Sequence, residues 1–217
     1  QQRELDRKLT MLGDRGTRNF LYGSLQLYGR VDDTLLQVAR EVLEKVPSRG
    51  RGGGSASSLD AKALASRAEA DIRYYRERDE GVWSRVEIRD DVVGVMVSHG
   101  NLLINKRQKF QESRVEALLA HEIGTHVVTF FNGRAQPFQQ LSTGLPDYEE
   151  LQEGLAVLAE YLVGGLTRSR LRMLGGRVLA AYMLSEGATF PEVFRALNHT
   201  HDFPQKTAFT ITLRVFR

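Results

Sequence analysis

The sequence predicts an α+β fold, mostly helical, with one small antiparallel sheet in its middle. Two observations support this. Apolar residues recur at helical spacing through much of the first eighty residues and again beyond Glu112. Between these regions lie three short runs rich in β-branched residues, each bounded by turn-forming residues.

The N-terminal part, residues 1–82, reads as helical. Leu35, Val38, Ala39, Val42 and Leu43 repeat at helical spacing, with Asp32 and Asp33 suited to cap the start and Pro47 to end the segment. Residues 48–58, rich in Gly and Ser, have too little apolar surface to order themselves and read as a flexible connector. They lack the G-K-[ST] ending of a phosphate loop and no strand precedes them. Ser58 or Asp60 then caps a further helix running to about Arg78.

The texture changes at Trp83. The runs 84–88, 92–97 and 102–104, separated by Asp90-Asp91 and His99-Gly100-Asn101, read as an antiparallel sheet. Helices return from Glu112. The whole chain, 1–217, is expected to form a single domain, and its apolar, alternating end from Ala208 to Arg217 suggests truncation at the C-terminus.

Two segments in the last part carry chemistry. The first is His121-Glu122-Ile123-Gly124-Thr125-His126, and the second is Gln152-Glu153-Gly154-Leu155-Ala156 on the next helix. Two imidazoles, a carboxylate beside the first and another further on are the donor set of a mononuclear zinc hydrolase. The histidines stand five positions apart rather than the usual four. On an ideal α-helix that step leaves the rings roughly 140° apart. Both can face one ion only where the helix widens into a π-bulge, and Gly124 is expected to be the residue that tolerates it. Val115, Leu118, Leu119, Ile123 and Val127 give the segment an apolar face, so the imidazoles are expected on a buried helix.

Composition narrows the classes. There is no cysteine, which excludes disulfides, thiolate ligands and cysteine nucleophiles, so Zn2+ must be held by histidine and carboxylate. The net charge is +3, with five acidic and no basic side chains in 141–164 and a basic tail after them. No zinc-finger, RNP or basic-zipper pattern is present, so no nucleic-acid partner is expected. Glu160 interrupts the longest apolar run, 154–166, which excludes it as a membrane span. With no secretory signal visible, a cytoplasmic location is expected.

The expected site follows from the residues. His121 and His126 supply neutral ring nitrogens and Glu153 the third ligand, with Glu149, one turn earlier on the same face, as the main alternative. Glu150 is a lesser competitor, and Glu160, two turns on, is a candidate to orient a ligand histidine. Glu122 is the candidate general base. Tyr148, Tyr161, Tyr182 and His201 are candidates to stabilise an oxyanion. Arg214 and Arg217 are candidates to bind a substrate's terminal carboxylate. An edge strand within 96–98 or 102–105 is a candidate to receive an extended peptide.

At Leu118 to His126, Asn132-Gly133, Gln136-Pro137 and Gln152 to Ala156 the chain resembles the bacterial QEGLA-motif proteins. Their eukaryotic relatives are the microtubule-associated tyrosine carboxypeptidases, which remove the C-terminal tyrosine of α-tubulin. The resemblance runs from about Asn19 to Arg217. It implies a zinc-peptidase-like domain with His121, His126 and Glu153 as ligands and Glu122 as catalytic base. The expected activity is that of a metallocarboxypeptidase acting on peptide or protein C-termini, tyrosine among the candidate residues removed, through metal-activated water. The competing expectation is a zinc-binding regulatory or interaction protein that turns nothing over.

Overall fold

The structure, a computed structural model, describes residues 2–48 and 57–216. Most of the expected 48–58 connector, residues 49–56, lies outside the described residues, as does Arg217. The chain divides into two compact units. One comprises Gln1–Gly53 with Thr167–Arg217, and the other Gly54–Leu166.

The first unit is helical: α1 (Gln2–Gly13), α2 (Asn19–Tyr28) and α3 (Asp33–Lys45) come before the second unit in sequence. Asp32 caps α3 as the sequence predicts, its Oδ1 accepting from Leu35 N at 2.7 Å.

The second unit begins with a short strand, β1 (Ser58–Leu59), and α4 (Ala61–Arg76), capped by Asp60 through Ala63 N at 2.8 Å. Next come β2 (Val86–Arg89), β3 (Val95–Ser98), β4 (Asn101–Asn105) and β5 (Phe110–Gln111). β5 pairs antiparallel with β1.

The expected sheet is present, in the order β2-β4-β3. Its β3–β4 half is antiparallel, in the register Val95 to Ile104 and Ser98 to Asn101. Its β2–β4 half is parallel, because β2 joins the far side of β4 rather than pairing with its sequence neighbour β3. The hairpin turns on His99 and Gly100, whose φ angles of 49° and 77° are those of a tight two-residue turn. Glycine is required at 100 for a second reason: an added Cβ would lie 2.4 Å from the Phe130 ring.

A one-turn 3-10 helix, Glu112–Arg114, leads into α5 (Val115–His121), a π-helical turn (Glu122–Val127) and α6 (Val128–Arg134). α7 (Gln140–Thr143) and α8 (Tyr148–Leu162) complete the unit. Its core joins Leu64, Ala68 and Ile72 of α4, Leu102 and Ile104 of β4, and Val115, Leu119, Ile123, Val127 and Phe131 of the continuous α5–α6 rod. Burial of all five rod positions, each four residues after the last, fixes the side of the rod that faces the sheet.

The chain then returns to the first unit with α9 (Arg168–Ser185), α10 (Phe190–Arg195), a second π turn (Ala196–Thr200) and α11 (Gln205–Phe216). The alternating C-terminal stretch is thus helical. Ala208, Ile211 and Thr212 are its buried residues, at the spacing of one helix face.

This unit's apolar core includes Leu36, Leu43, Leu179, Val193, Leu197, Phe203 and Ile211. Inside it Arg172, 6% exposed, donates to Leu43 O at 2.7 Å, to Val46 O at 2.6 Å and to His201 O. One guanidinium thereby satisfies carbonyls at the end of α3 and just past the second π turn. Replacing Arg172 with Leu strands these carbonyls and should cost about 3 kcal/mol. Lys, with one point donor in place of a planar fork, should lose part of that. Urea unfolding midpoints for parent, Arg172→Lys and Arg172→Leu test this ranking, and equal midpoints would refute it.

Candidate metal centre

The site is built where α8 lies against α5 and the π turn. Through that turn Val128 N donates to Ile123 O, five residues back, instead of four. The Thr125 hydroxyl points back to Ala120 O, also five residues earlier, at 3.4 Å. With i to i+5 closing one turn, residues 121 and 126 come onto the same side. Their ring centroids are 5.0 Å apart with planes at 67°.

Glycine at 124 is not sterically required by the turn. Gly124 is not among the residues with positive φ, and an added Cβ would meet only Tyr75 Oη at 3.6 Å, ordinary van der Waals contact. The second π turn, Ala196–Thr200, contains no glycine.

Glu153 of α8 faces both imidazoles. Its Oε1 lies 3.6 Å from His126 Nε2 and its Oε2 3.9 Å from His121 Nε2. These three residues offer ligand atoms within 4.8 Å of one another and form a group that could hold a metal ion. Donors about 2.0–2.1 Å from a tetrahedral zinc ion stand roughly 3.4 Å from each other. The donor set fits such an ion after small side-chain rotations. Glu149 and Glu150 are not part of the group.

The surroundings suit neutral imidazole donors. Burial holds His126 below the usual histidine range, aided by His121 and opposed by Glu153 and by a hydrogen bond to Gln152. His121 Nδ1 lies 2.9 Å from Glu160 Oε1, so the ring donates there and keeps its Nε2 lone pair toward Glu153. Glu122 is 8% exposed. Burial, opposed by His121 and reinforced by Glu153 and Glu160, pushes its carboxyl up to about 7. The Glu153 side chain, by contrast, is 63% exposed, so the cluster opens to solvent on the α8 side.

The other sequence-predicted residues fall elsewhere. Tyr148 lies at the start of α8 against Gly144, where a Cβ would meet its ring at 2.0 Å, and Tyr161 is exposed on the same helix. Tyr182, His201 and Arg214 belong to the other unit. There Tyr182 packs on the core with Arg40 Cζ 5.8 Å from its ring, the His201 backbone is held by Arg172, and Arg214 is exposed on α11. Arg217 lies outside the described residues.

Sequence reasoning missed Arg114. It donates through Nη2 to Glu160 Oε2 at 2.7 Å and through Nη1 to Gly165 O. The signal was available, since Arg114 precedes His121 by seven residues, two helical turns, and so shares its face. Of the glycines quoted above, Gly133 has a packing reason, because a Cβ there would meet Leu141 O at 2.2 Å. Gly154 meets nothing within 4 Å, and nothing in the packing calls for it.

Fold and site together define an α+β, mostly helical protein with an open histidine–carboxylate group that could hold a metal ion, beside a buried glutamate. The chain belongs to the microtubule-associated tyrosine carboxypeptidase family, whose profile matches residues 1–217. Membership places it among carboxypeptidase-like peptidases. No curated protein and no solved structure is a significant match. Among the described residues no helix is long and apolar enough to cross a membrane.

Since the π turn does not sterically require glycine, Gly124→Ala should leave metal affinity within about threefold. It should raise stability by about 0.4–1 kcal/mol through reduced unfolded-state freedom. A melting curve and a chelator-competition titration check both. Loss of metal binding would return the turn to glycine's control.

Proposed function

We propose that this chain is a zinc-dependent metallocarboxypeptidase that hydrolyses the C-terminal peptide bond of peptide or protein substrates. The observation that carries the reading is the contrast within the site. Three converging donors include an exposed Glu153, and beside them stands a buried Glu122 whose carboxyl is pushed up to about 7. Structural zinc sites are closed by four protein ligands, whereas catalytic sites keep a position open to water and substrate. Family membership supports the peptidase class and, through it, the C-terminal preference.

In this reading His121, His126 and Glu153 hold the ion. Bound there, zinc supplies Lewis acidity toward a carbonyl and acidifies water. The protein's own residues do the rest. Glu160 keeps the proton of His121 on Nδ1. Gln152 steadies His126. Glu122 takes a proton from the attacking water and returns it to the leaving amine, a role suited to a carboxyl whose affinity for protons is raised by burial. β3, at one edge of the sheet, offers unpaired backbone groups along which an extended substrate can align.

The decisive experiment pairs metal content with turnover. The parent should bind one equivalent of zinc by elemental mass spectrometry and release C-terminal residues from a peptide library, tyrosine-ended peptides included. Glu122→Gln should retain the zinc and lose at least about a hundredfold in kcat, the scale of general-base catalysis. Retained turnover in that variant would remove Glu122 from the mechanism. Zinc bound without cleavage of any peptide would favour a zinc-binding regulatory protein.

Occupancy also links to stability. Zinc at a hundred times its Kd should raise the folding free energy by about 2.7 kcal/mol, and a chelator should reverse the shift. His126→Ala should show no such response, and an unchanged response would place the ion elsewhere.

A further inference from the structure

The most buried acidic side chain of the second unit is not one of the three donors. Glu160 is 2% exposed, and both its oxygens are used as acceptors. Oε1 is 2.9 Å from His121 Nδ1, and Oε2 accepts from Arg114 Nη2 at 2.7 Å. The same guanidinium donates through Nη1 to Gly165 O, just beyond the end of α8. Gly165 N in turn donates to Glu160 O at 2.7 Å, so the backbone of this turn and the Glu160 side chain are held together.

From this geometry we infer that Arg114 is a positioning residue of the metal centre, which acts through Glu160 to fix the tautomer and direction of the His121 ring. The inference rests on the zinc-peptidase reading for its consequence in metal binding, but not for its consequence in the ring itself. Each donor on a carboxylate narrows its rotation about its last bond. Arg114 restricts Glu160 in this way, because its planar fork engages the carboxylate and Gly165 O at once. With Glu160 so held, the His121 proton stays on Nδ1 and Nε2 stays aimed toward Glu153, 3.9 Å away. The clamp also ties α8 to the start of α5. There an added Cβ at Gly165 would stand 2.1 Å from Ala117 Cβ, a contact that leaves no room for the helices to shift inward.

Two substitutions separate positioning from bulk stability. In Glu160→Gln one of the two oxygens becomes an amide that donates. Arg114 can only donate, so the remaining oxygen should face it and the amide N–H2 should face His121, whose ring must then flip or move its proton to Nε2, the atom that should bind metal. In Arg114→Met the carboxylate keeps its acceptors but loses its anchor. Arg114→Lys keeps one bond and loses the fork, so it should fall between parent and Met.

The test uses the full chain with four variants: Arg114→Lys, Arg114→Met, Glu160→Gln and the Arg114→Met/Glu160→Gln double. In the metal-free protein, the nitrogen-15 shifts of the His121 ring should show Nδ1–H in the parent and a mixed or reversed tautomer in Glu160→Gln and Arg114→Met. In a zinc titration against a chromogenic chelator, each of those single variants should bind about 10–100-fold more weakly. The double should be no weaker than the weaker single, as expected when one residue works through the other.

A parent-like tautomer and zinc affinity within threefold in Arg114→Met would overturn the inference, as would additive losses in the double. If Arg114→Met does not fold, the Lys variant carries the same comparison, and parent-like values there would count equally against it. If the parent binds no zinc, the zinc-peptidase reading fails on its own, while the tautomer comparison still decides the role of Arg114.

Discussion

Two imidazoles on one helix, five residues apart, must look the same way while the helix keeps its other side in the core. An α-helix cannot do both. The π turn from Glu122 to Val127 satisfies the two demands together. It aligns His121 with His126, and it keeps Ile123 and Val127 in the buried row that continues from Val115 and Leu119 to Phe131. Straightening the turn into α geometry would rotate one imidazole or the apolar residues after it by about a quarter turn. Burial of large side chains such as Ile123 and Val127 contributes about 1.5–3 kcal/mol each. The core therefore offsets the cost of the unusual hydrogen bonding, and the donor geometry follows from core packing.

Charge is the second constraint. This small region gathers Glu122, Glu153 and Glu160 around two imidazoles, and a buried carboxylate is costly unless paired. Arg114 compensates Glu160 directly, at 2.7 Å. Glu153 avoids the cost through exposure. Glu122 has neither device, and the upward push on its carboxyl expresses that imbalance. A divalent ion beside Glu153 would offset carboxylate charge that Arg114 leaves uncompensated. It would also draw Glu122 back toward the carboxylate form needed of a base.

Much of this was legible in the sequence where a rule links residue type to local geometry. Asp32 and Asp60 announced their helices because a side-chain oxygen has few other uses just before an apolar repeat. The five-residue histidine spacing announced the π turn, since no regular helix reconciles it with one ion. Other features depend on contacts between segments far apart in sequence. Nothing in β2 says that it will skip β3 and run parallel to β4. The stretch from Ala208 looks alternating, and only the burial of Ala208, Ile211 and Thr212 on one side shows it to be a helix. Gly124 does lie inside the π turn, but with room for a Cβ and no positive φ it is permitted there rather than required. Arg114 escaped notice, and Arg172 reads in the sequence as one charge of a solvated basic face although it is buried, because a buried arginine's partners are carbonyls and carboxylates that sequence proximity does not reveal.

The last determinant is distance between helices. Glu153 reaches the imidazoles only because α8 runs close to α5 and the π turn, and small residues set that separation. Ala156, one turn after Glu153, is fully buried. Ala117 and Gly165 meet so closely that an added methyl group would overlap at 2.1 Å. A larger side chain at either place must push α8 outward, and Glu153 and Glu160 move with it because both ride on the same helix. Glu153 would then leave the donor group while Glu160 released His121. The Glu153-Gly154-Leu155-Ala156 segment thus joins two features of α8: its glutamate oxygens stand 3.6 and 3.9 Å from the two rings, and its alanine, one turn along, is buried.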